Sequence, residues 1–303
     1  MAKRSLLLGF DAFGTLFRIK QPIERQYGDV ARHQFGLLKA STDDELRTAF
    51  RAAFKAQSRA HPNYGRTSGM GATVWWTQVI HKSFQPLLRP DETIPADLAP
   101  QLLARFASRE GYAMDPALPS LLRALKEQQS FYDRIVVGVI TNSDDRVPDI
   151  LSSFGLRVSP LRFGGTTPPS STDSYDIDFH CMSYDVGAEK PDPFIFRAAE
   201  SLLPVVVGAQ GETELNLDNW DKVYVGDEAQ KDVSGAQAAG WHPVLLAEKD
   251  ADALNGLLRL EDCRPQPFGQ LFGSQSDNVV VGVDSVASFV QWMLGTGVLR
   301  GRA

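Results

Sequence analysis

Four places along the chain put polar side chains where a buried strand runs out. They are Asp11 after the apolar run Leu6–Phe10, Thr141-Asn142 after Ile135–Ile140, Lys190 in Gly187-Ala-Glu-Lys-Pro, and Asp227 with Asp232 after Val223–Val225. In one parallel sheet the carboxyl ends of the strands share an edge, so these groups can converge in a single crevice. The chemistry they suit is displacement at an electrophilic centre. Asp11 would attack and form a covalent ester or aspartyl phosphate. The Thr141 hydroxyl and the Asn142 backbone N–H would hold the oxygens of the transferring group, and Lys190 would neutralise charge. Asp227 and Asp232 are oxygen donors for a hard divalent cation, Mg²⁺ first among them. Three carboxylates against one ammonium leave about two negative charges, which a divalent cation offsets. The Gly14-Thr15 turn beside Asp11 exposes backbone N–H groups, and with Ser143 it completes the candidate substrate contacts. A lone strand-final Asp equally caps the next turn, so it is the joint occurrence in this order that points to a site.

The elements that must position these groups alternate strand and helix from Asp115 onward. Helices are predicted over 118–128, 147–154, 195–203, 233–239 and 286–294, and strands over 135–140, 178–183, 223–225, 242–246 and 279–281. Continuous apolar strands separated by helices call for a doubly wound parallel sheet, fold class α/β. Residues 21–111 read differently, as four amphipathic helices (23–35, one opened by the Ser41–Glu45 capping cluster, 71–88 and 96–107) with no convincing strand. That pattern predicts a small α-helical cap inserted after the first strand and built over its carboxyl end. The domain assignment is therefore an α/β core over 1–20 and 112–303, and a cap over 21–111. Trp75-Trp76 is expected to serve the cap's own packing. Residues 159–176, 204–221 and 264–277 read as loops without an assigned function, the first of them mobile.

At 303 residues with a formal charge of −6, the chain has enough apolar content for a large core and no basic excess for nucleic acid. Two distant cysteines, Cys181 and Cys263, fit a reducing compartment without structural zinc. The apolar run near the N-terminus is too short for a signal segment, and none spans a membrane. The expectation is a soluble cytoplasmic protein, with the nucleus as the alternative, acting on a small molecule.

The stretches DAFGTLF (11–17), VITNS (139–143), AEKPDPFIF (188–196) and VYVGDEAQKDVSGAQAAG (223–240) resemble the haloacid dehalogenase (HAD) superfamily over nearly the whole chain. Residues 54–76 resemble the cap of one subgroup of it. The resemblance implies a HAD-like Rossmannoid core with a helical cap, and a Mg²⁺ held by Asp11, Asp227, Asp232 and the main-chain carbonyl of Phe13. It implies a phosphorylated metabolite as substrate, with cap opening and closing to admit it. Phe13 departs from the pattern. HAD phosphatases carry an aspartate there as general acid and base, help worth about 10²–10⁴-fold. Three readings follow: a Mg²⁺-dependent phosphohydrolase weakened or narrowed by Phe13, a non-catalytic binding or regulatory protein with a protein partner, and a metal-independent 2-haloacid dehalogenase.

Overall fold

The computed structural model describes residues 4–39, 41–128, 131–170, 172–211, 216–247, 257–272 and 280–296. The chain divides into two compact units, one of residues 1–18, 114–142 and 154–303, the other of residues 19–113 and 143–153. This division differs from the expected one in placing 143–153 with the helical unit.

Nine strands occur among the described residues. They are β1 (Arg4–Phe10), β2 (Arg18–Ile19), β3 (Tyr112–Ala113), β4 (Tyr132–Thr141), β5 (Phe179–Met182), β6 (Trp220–Gly226), β7 (His242–Leu246), β8 (Leu258–Arg259) and β9 (Val281–Val283). Seven form a sheet in the order β5-β4-β1-β6-β7-β9-β8, every pair parallel. β1 lies between β4 and β6, with Phe10 opposite Val139 on one side and Val225 on the other. A central parallel strand is covered on both faces, which is why Leu6–Phe10 carries no polar residue until Asp11. One face packs Phe179, Phe196, Tyr224 and Trp241 around Leu7, Val136 and Ile140. Elsewhere in this unit Phe10 meets Phe289 edge to face, and Phe289 stacks on Phe268.

The predicted helices of this unit are found at Leu118–Gln128, Phe194–Glu200, Ser234–Ala238 and Val286–Met293. Two readings are corrected. Residues 204–221 are not a plain loop, since Leu203–Ala209 is a helix and Trp220-Asp221 already belong to β6. Pro204 stands in the first turn of that helix, where its missing N–H needs no helical partner. The β-branched run Val205–Val207 is held helical by burial of Leu203, Val206 and Val207. In 264–277, Phe268–Phe272 is a short helix, and 273–277 lie outside the described residues. The strand expected at 279–281 is Val281–Val283, Val279 lying outside the described residues.

In the helical unit the main helices are Ile23–Phe35, Asp43–Ala60, Ala72–Phe84, Leu98–Arg105 and Val147–Ser153, with β2 and β3 pairing as a short ribbon. The capping cluster is a full capping box: Thr42 accepts from the Glu45 N–H while the Glu45 carboxylate accepts from the Thr42 N–H. Trp75 is buried and gives its indole N–H to the His61 carbonyl at 2.8 Å. Trp76 is half-buried, donates to Asp144 Oδ2 at 2.7 Å, and carries the Arg146 guanidinium 4.4 Å above its ring.

Candidate active site

Asp11 stands at the first position past β1, its main-chain N–H held by the Val225 carbonyl at 2.9 Å, which is the last tie to β6 before the chain turns. Gly14 makes that turn. Its φ of +86° lies in the left-handed region, and a Cβ there would stand 2.2 Å from Asp227 Oδ2. Gly226 is constrained in the same way, because a Cβ would fall 2.3 Å from the Asp232 carboxyl group. Two glycines thus leave the room that the two carboxylates occupy. Asp232 comes from the helical turn Ala229–Val233, and its Oδ2 accepts from the Glu228 N–H at 2.8 Å.

Lys190 joins the pieces. Its ammonium donates to Asp11 Oδ1 and Asp232 Oδ1, both at 2.7 Å, and to the Tyr224 hydroxyl at 2.8 Å. The lysine loop is clamped from the opposite strand: Asn142 Oδ1 accepts from the Lys190 N–H at 2.6 Å and Asn142 Nδ2 donates to the Lys190 carbonyl at 2.9 Å. The side chain of Asn142 therefore positions the lysine loop, a role its residue type allowed but sequence reading did not assign. Thr141 is buried and acts on the Asp11 carboxyl in the lowering direction, and the Thr15 hydroxyl donates to Asp227 Oδ1 at 3.0 Å. Ser143 is buried and groups with the helical unit. Phe13 is half-buried, its ring set edge to face against Phe17 at 4.9 Å.

Burial raises the Asp11 carboxyl above its ordinary range against the pull of Lys190, with Asp232 adding repulsion. Burial would lower the Lys190 ammonium, but Asp11 and Asp232 outweigh it and hold the group above its usual value. Burial also raises Asp227, and the negative charges of Asp11 and Asp232 push the same way against the Thr15 bond. Crowded carboxylates that resist ionisation are what a divalent cation relieves. Asp11, Asp227 and Asp232 each offer an oxygen within 4.8 Å of the other two. An all-oxygen, all-carboxylate donor set of this size suits Mg²⁺.

Sequence reasoning missed Tyr224. A phenol buried between Val223 and Val225 must find a polar partner, and that was the available signal.

A parallel α/β sheet with an aspartate at the tip of its central strand, a lysine on it and an acidic pair beside it defines a class of hydrolase. Residues 7–240 match the haloacid dehalogenase-like hydrolase family, and the chain belongs to that family. It is 31% identical over 243 residues to haloacid dehalogenase-like hydrolase domain-containing protein 3 of Bos taurus, covering 80% of this chain and 81% of that protein. An uncharacterised hydrolase of Schizosaccharomyces pombe is 30% identical over 236 residues, covering 78% and 88%. Among solved structures, the defluorinating L-2-haloacid dehalogenase Rha0230 superposes with a TM-score of 0.53 at 15% identity, covering 95% of each chain. The magnesium-bound HAD-hydrolase YfnB of Bacillus subtilis gives 0.52 at 14%, covering 97% of this chain and 99% of its own. At such identities these two share the fold.

Proposed function

We propose that the protein is a Mg²⁺-dependent phosphohydrolase working through an aspartyl phosphate on Asp11, with an activity narrowed by Phe13. The observation that carries this reading is the meeting of Asp11, Lys190, Asp227 and Asp232 at one sheet edge. The Asp11 carboxylate attacks phosphorus, the bond from phosphorus to the leaving oxygen breaks, and the electron pair departs with that oxygen. Water then attacks the aspartyl phosphate, releasing inorganic phosphate and restoring the carboxylate. Lys190 offsets the charge on Asp11 through both steps. Asp11, Asp227 and Asp232, with the Phe13 main-chain carbonyl as the family resemblance implies, would hold Mg²⁺, which supplies positive charge for the transferring oxygens.

Neither step receives a proton relay from position 13. A phenyl ring cannot protonate a leaving alkoxide, so phosphorylated metabolites with good leaving groups, aryl or acyl phosphates, are the favoured substrates. Nor can the ring take a proton from water, so the covalent intermediate is long-lived. The test is hydrolysis of an activated aryl phosphate with and without Mg²⁺, alongside Asp11→Asn and Phe13→Asp. A metal-dependent rate that vanishes in Asp11→Asn and rises at least about tenfold in Phe13→Asp is expected. A silent wild type with an active Phe13→Asp would favour the non-catalytic binding protein instead, a reading that Phe13 itself motivates. Halide release from a 2-haloacid that EDTA leaves untouched would favour the dehalogenase.

A further inference from the structure

The Lys190 ammonium has three N–H bonds, and only two of them reach the carboxylates of the catalytic constellation. The third goes to the hydroxyl of Tyr224, which is fully buried in β6. We propose that Tyr224 is a positioning residue of the reaction, its phenol oxygen holding the Lys190 ammonium between Asp11 and Asp232. This inference rests on the phosphohydrolase reading for its kinetic consequence and on geometry alone for the contact itself.

A phenol can donate or accept. Tyr224 has one proton, and it goes to the Ile140 carbonyl at 2.6 Å. What faces Lys190 is then a lone pair, an acceptor for the one N–H that the carboxylates leave over. A lysine side chain is long and flexible, and two acceptors would leave its ammonium free to pivot about the line joining them. A third acceptor removes that freedom. The ring cannot yield either, being set edge to face on Phe196 at 5.0 Å and packed beside Trp241 at 6.4 Å. Gly9, opposite Tyr224 in the β1–β6 register, leaves the ring its space: a Cβ there would stand 2.9 Å from the Tyr224 ring. The hydroxyl thereby ties β6, β4 and the lysine loop to Asp11. For a nucleophile and its counter-charge, a displacement of about 1 Å can cost on the order of 10²-fold in rate.

The experiment compares wild type and Tyr224→Phe as full chains, by two readouts. Kinetics on an activated aryl phosphate with Mg²⁺ should show kcat lowered at least about tenfold in the variant, with KM within about twofold and a cooperative melting transition retained. Proton–nitrogen NMR of the lysine ammonium groups should show a Lys190 signal in wild type, identified by its absence in Lys190→Met. Tyr224→Phe should lose that signal, because an ammonium with an open N–H exchanges faster with water. A Lys190 signal that survives in Tyr224→Phe overturns the proposal, as does a wild type without the signal, a kcat within twofold of wild type, or a variant that fails to fold. Should wild type hydrolyse no phosphate, the phosphohydrolase reading fails separately, and the NMR comparison still decides the contact.

Discussion

Lys190 sits between two carboxylates in a site where it is almost fully shielded from water, 4% exposed. Removing one partner from a buried charge cluster costs more than the cluster's net worth, because the groups left behind stay buried and unpaired. Lys190→Met should therefore destabilise the protein by about 3 kcal/mol in urea unfolding, and Mg²⁺ should restore part of that loss by compensating the same carboxylates. A Lys190→Met chain as stable as wild type in EDTA would show that the carboxylates are not crowded. Gly14 makes a sharper case. An alanine there meets both a positive φ and an Asp227 oxygen 2.2 Å away. Gly14→Ala should thus abolish the Mg²⁺-dependent shift in melting temperature, and an undiminished shift would show that Asp227 is no part of a metal site.

Among the elements, the helix Asp43–Ala60 shows how local chemistry sets a boundary. Thr42 and Glu45 exchange side-chain to backbone hydrogen bonds in both directions, and the Thr42 N–H and hydroxyl, both donating to the Glu45 carboxylate, lower that carboxyl below its ordinary range. Thr42→Ala breaks both the acceptor and the box, and should cost about 1 kcal/mol, read as a lower urea midpoint at unchanged slope. Elements whose ends are written in local chemistry were legible in the sequence: this helix, the strand before Asp11, and the helix Leu118–Gln128. The helix Leu203–Ala209 was not legible, because its residues are poor helix formers and their burial overrides propensity. The turn Ala229–Val233 was also missed as a turn, although Asp232 within it was named. A single wide helical turn leaves no periodic signature.

At the scale of the whole molecule, His180 in β5 makes one contribution to the pH dependence of stability. It is buried, its Nδ1 makes no hydrogen bond among the described residues, and burial with the nearby Arg162 pushes its pKa down from 6.5 to about 4. An unfolded chain binds this proton near 6.5 while the folded one refuses it until about 4. The contribution of His180 should accordingly be full above pH 6.5 and fall as pH drops toward 4, at a limiting slope of about 1.4 kcal/mol per unit. His180→Leu lacks this slope, so the stability of wild type minus that of the variant should shrink between pH 7 and 4.5; a constant difference would remove His180 from the account.

The sequence by itself determined the α/β class and the family, and it named Asp11, Thr141, Lys190, Asp227 and Asp232 as candidates, because strand-end positions and motif spacing are local properties of the chain. It also showed a phenylalanine at position 13, two residues past Asp11, since a residue type is legible without coordinates. Only the tertiary structure decided that the side chain of Asn142 clamps the lysine loop, that Gly14 and Gly226 make room for the two carboxylates, and that Tyr224 completes the ammonium's shell. Those contacts join residues tens to hundreds of positions apart. They depend on which strands are neighbours and in what register, and that is set by the packing of the whole core.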